Sequence, residues 1–268
     1  MIKNVLSIAG VDPSGGAGVL ADVKAMSALG TYAMGVVAAL TAQNTQAVTG
    51  VMPVPAGFVT EQLDTLFADV RVDAVKIGML GAIDVMEAVA QAVERYRPPH
   101  VVLDTVMVAK SGDRLMPDEA VDFFRSRMLP LVDMITPNLP EAGVLLNREL
   151  STLDDMRVAL ADLDALCNHK AVIYLKGGHL EDADPRDMVF NHGQVIELPF
   201  EKIHTKNTHG TGCTLSSALA AIWAQTDDVE VTVRKAKAYI AQAIAASDEL
   251  SVGSGHGPVH HFVELYRR

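Results

Sequence analysis

Short apolar runs alternate along the chain with amphipathic helix patterns, and no other feature of the sequence narrows the fold as much. Runs suited to buried strands occur at Val5 to Ala9, Gly35 to Leu40, Ala74 to Ile77, His100 to Leu103, Asp133 to Thr136 and Ala171 to Leu175. Strands with no polar alternation are those covered on both faces, as in parallel sheets. Between them, Val59, Leu63, Leu66, Phe67 and Val70 recur along one helical face. Leu153, Met156, Leu160, Leu163 and Cys167 form a second stripe, with Ser151 and Asp154 as a capping pair at its start. Met188 to Leu198 reads as a hairpin after a turn at Glu181 to Arg186, and Thr211 to Ser247 reads as helical. Alternating strand and helix with short connections predicts a three-layer α/β fold, a mostly parallel central sheet with helices on both faces. No linker, low-complexity tract or repeat divides the chain, which reads as one domain from Met1 to Arg268.

Charge and composition exclude several partners. The 22 basic and 33 acidic residues give a net charge of −11, and no basic cluster stands out, so nucleic acid and anionic membranes are not expected ligands. The N-terminal apolar run is too short for a signal peptide, and no stretch approaches the ~18 residues of a membrane helix. Only two cysteines occur, Cys167 and Cys213, which argues against a disulfide framework and for a reducing, cytoplasmic setting.

In sheets of this kind ligands sit beyond the carboxyl ends of the parallel strands. The residues following the apolar runs are Gly10-Val11-Asp12, Thr41-Ala42-Gln43-Asn44, Gly78-Met79, Asp104-Thr105, Pro137-Asn138 and Lys176-Gly177-Gly178. Further on, Asn207-Thr208-His209-Gly210-Thr211-Gly212-Cys213-Thr214 opens a helix of small residues from Leu215 to Ala224. Backbone amides of Gly210, Thr211 and Gly212 at a helix start can surround an anion, and a thiolate at Cys213 is favoured by the same dipole. As a plain packing motif, the same glycines permit close approach and Cys213 is a small core residue. A second glycine-rich turn, Asp12 to Ala21, matches the looser dinucleotide spacing at Gly16, Gly18 and Ala21, but no acidic residue follows about 20 positions on. Neither the G-x-x-x-x-G-K-[ST] motif nor the protein-kinase set is present. Phosphoryl transfer on a third architecture fits better: Asp104 and Glu141 offer oxygens to hydrated Mg²⁺, Lys176 a cation, and Asn138 with Pro140 also makes a good helix start.

Together these segments resemble the hydroxymethylpyrimidine kinase and hydroxymethylpyrimidine phosphate kinase family of thiamine biosynthesis, within the ribokinase-like superfamily. The resemblance runs through Ala9 to Asp22, Leu40 to Thr45, Lys76 to Leu80, Leu103 to Asp113, Ile135 to Ala142, Leu175 to Leu180, Lys206 to Ser216 and Val252 to His261. Cysteine at 213, where related sugar kinases carry Asp, is typical of this branch and of some relatives acting on vitamin B6. The resemblance implies ATP- and Mg²⁺-dependent phosphorylation of 4-amino-5-hydroxymethyl-2-methylpyrimidine to the monophosphate and then the diphosphate, by a homodimer. It implies that Cys213 is the base, that Gly210 to Cys213 and Lys176 stabilise the phosphoryl group, and that Gln43, Asp22, Met79 and Val106 hold the pyrimidine. ATP contacts fall to Asp104, Asn138, Glu141, Lys176 and Thr208, with Asp104 and Glu141 at the metal, and Met107 to Asp113 corresponds to the flap. A pyridoxine/pyridoxal kinase of the same fold is the alternative, with Gln43 favouring the aminopyrimidine. A binding protein without turnover and a cysteine hydrolase are further readings, the latter requiring a His beside Cys213. His256, His260 and His261 read as surface or packing residues, and His209 either holds its loop or touches ATP.

Overall fold

The computed structural model describes residues 1–107, 118–180 and 185–266. Nine strands and eight α-helices occur among them. The chain forms two compact units, residues 1–102 with 203–268 and residues 103–202.

The first unit is built on β1 (Asn4–Val11), β2 (Tyr32–Gln43), β3 (Val48–Pro53) and β4 (Ala74–Ile77), in the order β3-β2-β1-β4. β1 pairs in parallel with both β2 and β4, whereas β3 is antiparallel to β2. Helices α1 (Gly18–Ala28), α7 (Thr211–Thr226) and α8 (Val229–Ala245) pack together, with α1 and α7 on the sheet. α2 (Ala56–Phe67) lies on β2 and carries α3 (Ile83–Tyr96). Sheet residues Val5, Leu6, Ile8 and Ala9 are excluded from solvent, as both-sided coverage requires.

β5 (Val101–Leu103) leads into the second unit, where β6 (Met134–Ile135), β7 (Val172–Leu175), β8 (Arg186–Asn191) and β9 (Gln194–Pro199) follow in that order across the sheet. β6 and β7 are parallel, and β8 and β9 form an antiparallel hairpin on β7. The hairpin turns at His192 and Gly193, φ 48° and 89°, the left-handed pair that matches strand twist in a two-residue loop. Helix α4 (Asp118–Phe123) precedes a π-helical turn at Phe124–Met128, while α5 (Leu139–Leu146) packs on α6 (Leu153–Leu166), which covers β7 and β8. Among the described residues no helix is long and apolar enough to cross a membrane.

The alternating α/β pattern and the mostly parallel sheet are as expected, with three local corrections. Gly10, Val11 and Thr41 to Gln43 lie within strands rather than beyond them, because β3 supplies a partner that extends β2 to Gln43. α2 stops at Phe67, short of Val70. The cap of α6 is Thr152 with Asp155, one residue later than Ser151 with Asp154. The side chains of Thr152 and Asp155 each accept the other's backbone N–H, and Asp155 also accepts from Ser151. Of the expected flap, Met107 is buried and residues 108–113 lie outside the described residues, as do residues 181–184 of the expected turn.

Candidate active site

Two clusters hold the expected residues, one in each unit. In the first unit, α7 begins without a side-chain cap: Gly210 occupies the N-cap position with φ 72°, a left-handed conformation suited to glycine. Thr214 N–H reaches back to the Gly210 carbonyl at 2.8 Å, and the Thr211 hydroxyl donates to the Thr208 carbonyl at 2.8 Å. The Thr211 amide also reaches the Thr208 carbonyl, at 3.4 Å, and the amides of the first turn carry the positive end of the dipole. Cys213 sits half-buried in that turn as a thiol.

The glycine-rich turn after β1 packs against this loop. A Cβ on Gly210 would lie 1.7 Å from the Gly16 carbonyl oxygen, and one on Gly16 would lie 2.4 Å from the His209 ring, so both positions require glycine. His209 Nε2 donates to Asp12 Oδ2 at 2.7 Å. That carboxylate also accepts the Ala17 amide and the Ser14 hydroxyl, while its other oxygen accepts the Ser14 amide. Burial pushes the Asp12 carboxyl upward, but the bonds from His209 and Ser14 outweigh it and hold the group below its ordinary 3.8. The two glycine-rich stretches, separate in sequence, thus make one structure.

Gln43, at the end of β2, is half-buried; its Oε1 accepts from the Thr41 hydroxyl at 3.1 Å and its Nε2 lies 3.5 Å from His209 Nε2. Met79 is half-buried and lies over Gly10, where an added Cβ would come within 3.0 Å of its terminal methyl. Asp22 departs from expectation. Its carboxylate is wholly buried and accepts from Lys76 Nζ at 2.8 Å on both oxygens, from Ser7 at 2.6 Å and from Ser217 at 2.7 Å. With its lone pairs directed at these four bonds, Asp22 ties β1, β4, α1 and α7 together instead of offering an oxygen to a ring. Lys76 and Ser217 are site-supporting residues that sequence reasoning missed, since nothing local marks a lysine inside an apolar strand as paired.

In the second unit, Asp104 follows β5, Asn138 and Glu141 open α5, and Lys176 follows β7. Asn138 Oδ1 accepts the Glu141 amide at 2.8 Å and Glu141 Oε2 accepts the Asn138 amide at 2.9 Å, a reciprocal capping box. Thr105 also donates to Glu141, at 3.0 Å. Lys176 Nζ stands 3.7 Å from Asp104 Oδ1 and 3.8 Å from Glu141 Oε2. Burial raises the Glu141 carboxyl above its ordinary value, the Lys176 charge opposing and Asp104 reinforcing the shift. Asp104 Oδ1 accepts from Thr136, but its Oδ2 is buried with no hydrogen-bond partner among the described residues. An orphaned carboxylate oxygen is costly and marks a place for a cation. Two carboxylates suit Mg²⁺, which keeps much of its water, better than a metal wanting an all-protein cage. Among the described residues no group of three or more His, Cys, Asp or Glu could hold a metal ion.

The backbone around Lys176 is fixed by a residue the sequence did not single out. Asp187 on β8 accepts the Gly177 amide at 2.9 Å and the Tyr174 hydroxyl at 2.9 Å, and a Cβ at Gly177 would collide with the Arg186 carbonyl. Val106 is half-buried in this unit.

His260 and His261 are buried packing residues, as expected. His260 meets the Tyr266 ring edge-on, and His261 Nε2 lies 3.1 Å from the Thr214 hydroxyl. Burial, together with the positive charges of Lys24, His260 and His209, holds His261 down to about 3, and so neutral. Cys167 is the C-cap of α6, buried, its thiol pushed up to about 12 by burial and the neighbouring Asp164 charge. A thiol alkylating reagent at pH 8 is therefore expected to label the native protein once, at Cys213; peptide mapping that finds Cys167 modified at a similar rate contradicts this.

Comparison with known proteins places the chain in a family. A family model described as phosphomethylpyrimidine kinase matches residues 12–260. The hydroxymethylpyrimidine/phosphomethylpyrimidine kinase of Salmonella typhimurium is 49% identical over 259 residues, 97% of each chain. Among solved structures, an ADP complex of Bacillus subtilis pyridoxal kinase superposes with a TM-score of 0.89 at 32% identity over the whole of both chains. The phosphomethylpyrimidine kinase of Clostridium difficile gives 0.81 at 34% identity, covering 90% of this chain and 99% of that one. With a match across nearly its full length and near-half identity to a curated member, the chain belongs to the phosphomethylpyrimidine kinase family.

Proposed function

We propose that the protein phosphorylates 4-amino-5-hydroxymethyl-2-methylpyrimidine with ATP and then phosphorylates the monophosphate to the diphosphate, in thiamine biosynthesis. The observation that carries this reading is an uncapped, glycine-led helix start bearing Cys213, in a chain that also carries the buried Asp104 and Glu141 with Lys176 beside them.

The acceptor end of the reaction falls to the first unit. Gln43 pairs through its amide with the exocyclic amine and adjacent ring nitrogen of an aminopyrimidine, and Met79 offers apolar contact. Asp22 acts behind them, by holding Lys76 and α7. Cys213 takes the proton of the hydroxymethyl group as its oxygen bonds to the γ-phosphorus and the bond to the ADP oxygen breaks. The amides of Gly210 to Cys213 bear on the charge of the group in transfer. The donor end falls to the second unit, where Asp104 and Glu141 hold Mg²⁺ and Lys176 sets a positive charge beside them. Asn138 is fixed by its capping box, and Thr208 stands with the anion loop as a nucleotide contact. Held there, Mg²⁺ would supply charge neutralisation for the nucleotide phosphates.

Family resemblance assigns a homodimer. The β3 edge supports it: Val48, Val51 and Met52 are each more than half exposed, and an apolar edge strand invites pairing. The cysteine usage supports a cytoplasmic setting.

A second reading, pyridoxal kinase, is favoured by the structural likeness to the Bacillus subtilis enzyme. Phosphorus NMR of products formed from ATP, Mg²⁺ and the pyrimidine, with pyridoxal in a parallel tube, separates the two. A diphosphate ester from the pyrimidine is the expected result. Monophosphate from pyridoxal with the pyrimidine untouched replaces the first reading by the second.

A further inference from the structure

Three other stretches of chain converge on His209. Its ring donates to Asp12 in the turn after β1, lies against Gly16, and faces the Gln43 amide at the end of β2. Its backbone amide donates to the Gly257 carbonyl at 3.0 Å, and its own successor, Gly210, begins the anion loop. Gly257 N–H is in turn held by Asn207 Oδ1 at 3.1 Å, so the C-terminal tail clamps both sides of His209. The same tail clasps the β2–β3 turn, where His256 N–H donates to the Thr45 carbonyl at 2.9 Å and Gly255 N–H to its hydroxyl at 3.1 Å. Backbone and ring of His209 are therefore both fixed.

The consequence lies in the proton inventory. A carboxylate is acceptor-only, so the short contact to Asp12 requires the proton on His209 Nε2. A protonated Nε2 cannot accept from the Gln43 Nε2 that faces it at 3.5 Å. The Gln43 amide hydrogens are thereby denied an acceptor in the ring, while the Thr41 hydroxyl, its single proton shared between the Val11 carbonyl at 3.0 Å and Gln43 Oε1 at 3.1 Å, lies against the other end of the amide. Held this way, the amide keeps N–H donors for a ring nitrogen and a second lone pair on Oε1 for an exocyclic amine.

We infer that His209 is a specificity-determining positioning residue: locked in its Nε2–H form by Asp12, it keeps the Gln43 amide oriented and unspent for a planar heterocycle bearing an acceptor nitrogen next to an amino group. This rests on the reading of Gln43 as the pyrimidine contact. The role differs from that of a hydrolase base or an ATP ligand acting through Nε2, because Asp12 takes that nitrogen.

A double-mutant cycle on the full-length protein with ATP, Mg²⁺ and 4-amino-5-hydroxymethyl-2-methylpyrimidine tests it. His209→Leu is expected to raise KM for the pyrimidine about tenfold while KM for ATP stays within twofold. His209→Gln, which returns an N–H near the Nε2 position, is expected to recover most of the loss. Gln43→Leu made on the His209→Leu background is expected to cost at least threefold less than on the wild type, as coupled neighbours require. If His209→Leu lowers the melting midpoint too far for assay, Asp12→Asn takes its place in the cycle with the same direction expected. Multiplicative effects, with Gln43→Leu alone raising the pyrimidine KM, overturn the role of His209 and leave the substrate reading intact. A Gln43→Leu protein with unchanged pyrimidine KM overturns both.

Discussion

Cys213→Ala is expected to lower kcat for the hydroxymethyl pyrimidine by about 10²–10⁴-fold, the range general-base catalysis commands, while the second transfer, to the monophosphate, falls by less than about tenfold. The asymmetry follows from the acceptors. A hydroxymethyl oxygen is a poor nucleophile until its proton leaves, and in the proposed reaction Cys213 takes it. A phosphate monoester has a second pKa of about 6, so at pH 7 and above it is mostly a dianion with no proton to lose. Positioning by the amides of Gly210 to Cys213 is a backbone contribution that alanine retains. Steady-state kinetics with each acceptor separately, at saturating ATP, measures both losses. Equal losses on the two acceptors would show that Cys213 acts through the geometry of the loop and not as a base. A melting midpoint within a few degrees of wild type distinguishes either outcome from unfolding.

Lys76→Met carries the largest expected cost in stability. The ammonium and the Asp22 carboxylate are both wholly shielded from water, and removing the lysine leaves a buried carboxylate supported only by the hydroxyls of Ser7 and Ser217. Breaking a buried pair from one side costs about 3–5 kcal/mol, and about 2–4 °C in melting temperature accompanies each kcal/mol at this size. Thermal unfolding should therefore move down by roughly 6–20 °C. Replacing both partners, Lys76→Met with Asp22→Leu, removes the stranded charge and is expected to recover much of that loss. A single variant losing less than about 1 kcal/mol would mean that water reaches Asp22. Ser217 lies one turn of α7 beyond Cys213, so this pair also fixes the helix that carries Cys213.

Where an interaction spans a few residues, the sequence disclosed it. The capping box of Asn138 and Glu141 closes over three positions, and the start of α7 is marked by Gly210. The strand at Ala74–Ile77 matches its apolar run residue for residue. Even the misplacement of the α6 cap is local: Ser151, Thr152, Asp154 and Asp155 supply two competing pairs, and helix geometry selects the second. β3 escaped notice because Thr49, Gly50 and Pro53 break its apolar residues into pieces too short to read as a run; pairing with β2 makes it a strand.

The amino-acid sequence by itself determined the alternation of most strands and helices, the glycine-led helix start with Cys213, and the family. These are written in periodicity, in capping positions and in glycines whose backbone role is local. Only the tertiary structure decided that Asp22 serves Lys76 and Ser217, that Asp187 fixes the turn after Lys176, and that Asp12 claims the His209 ring across 197 positions. The physical reason is that a polar side chain takes whatever complementary group shares its buried space. Residue type sets how many bonds it must make, and chain packing alone sets with whom.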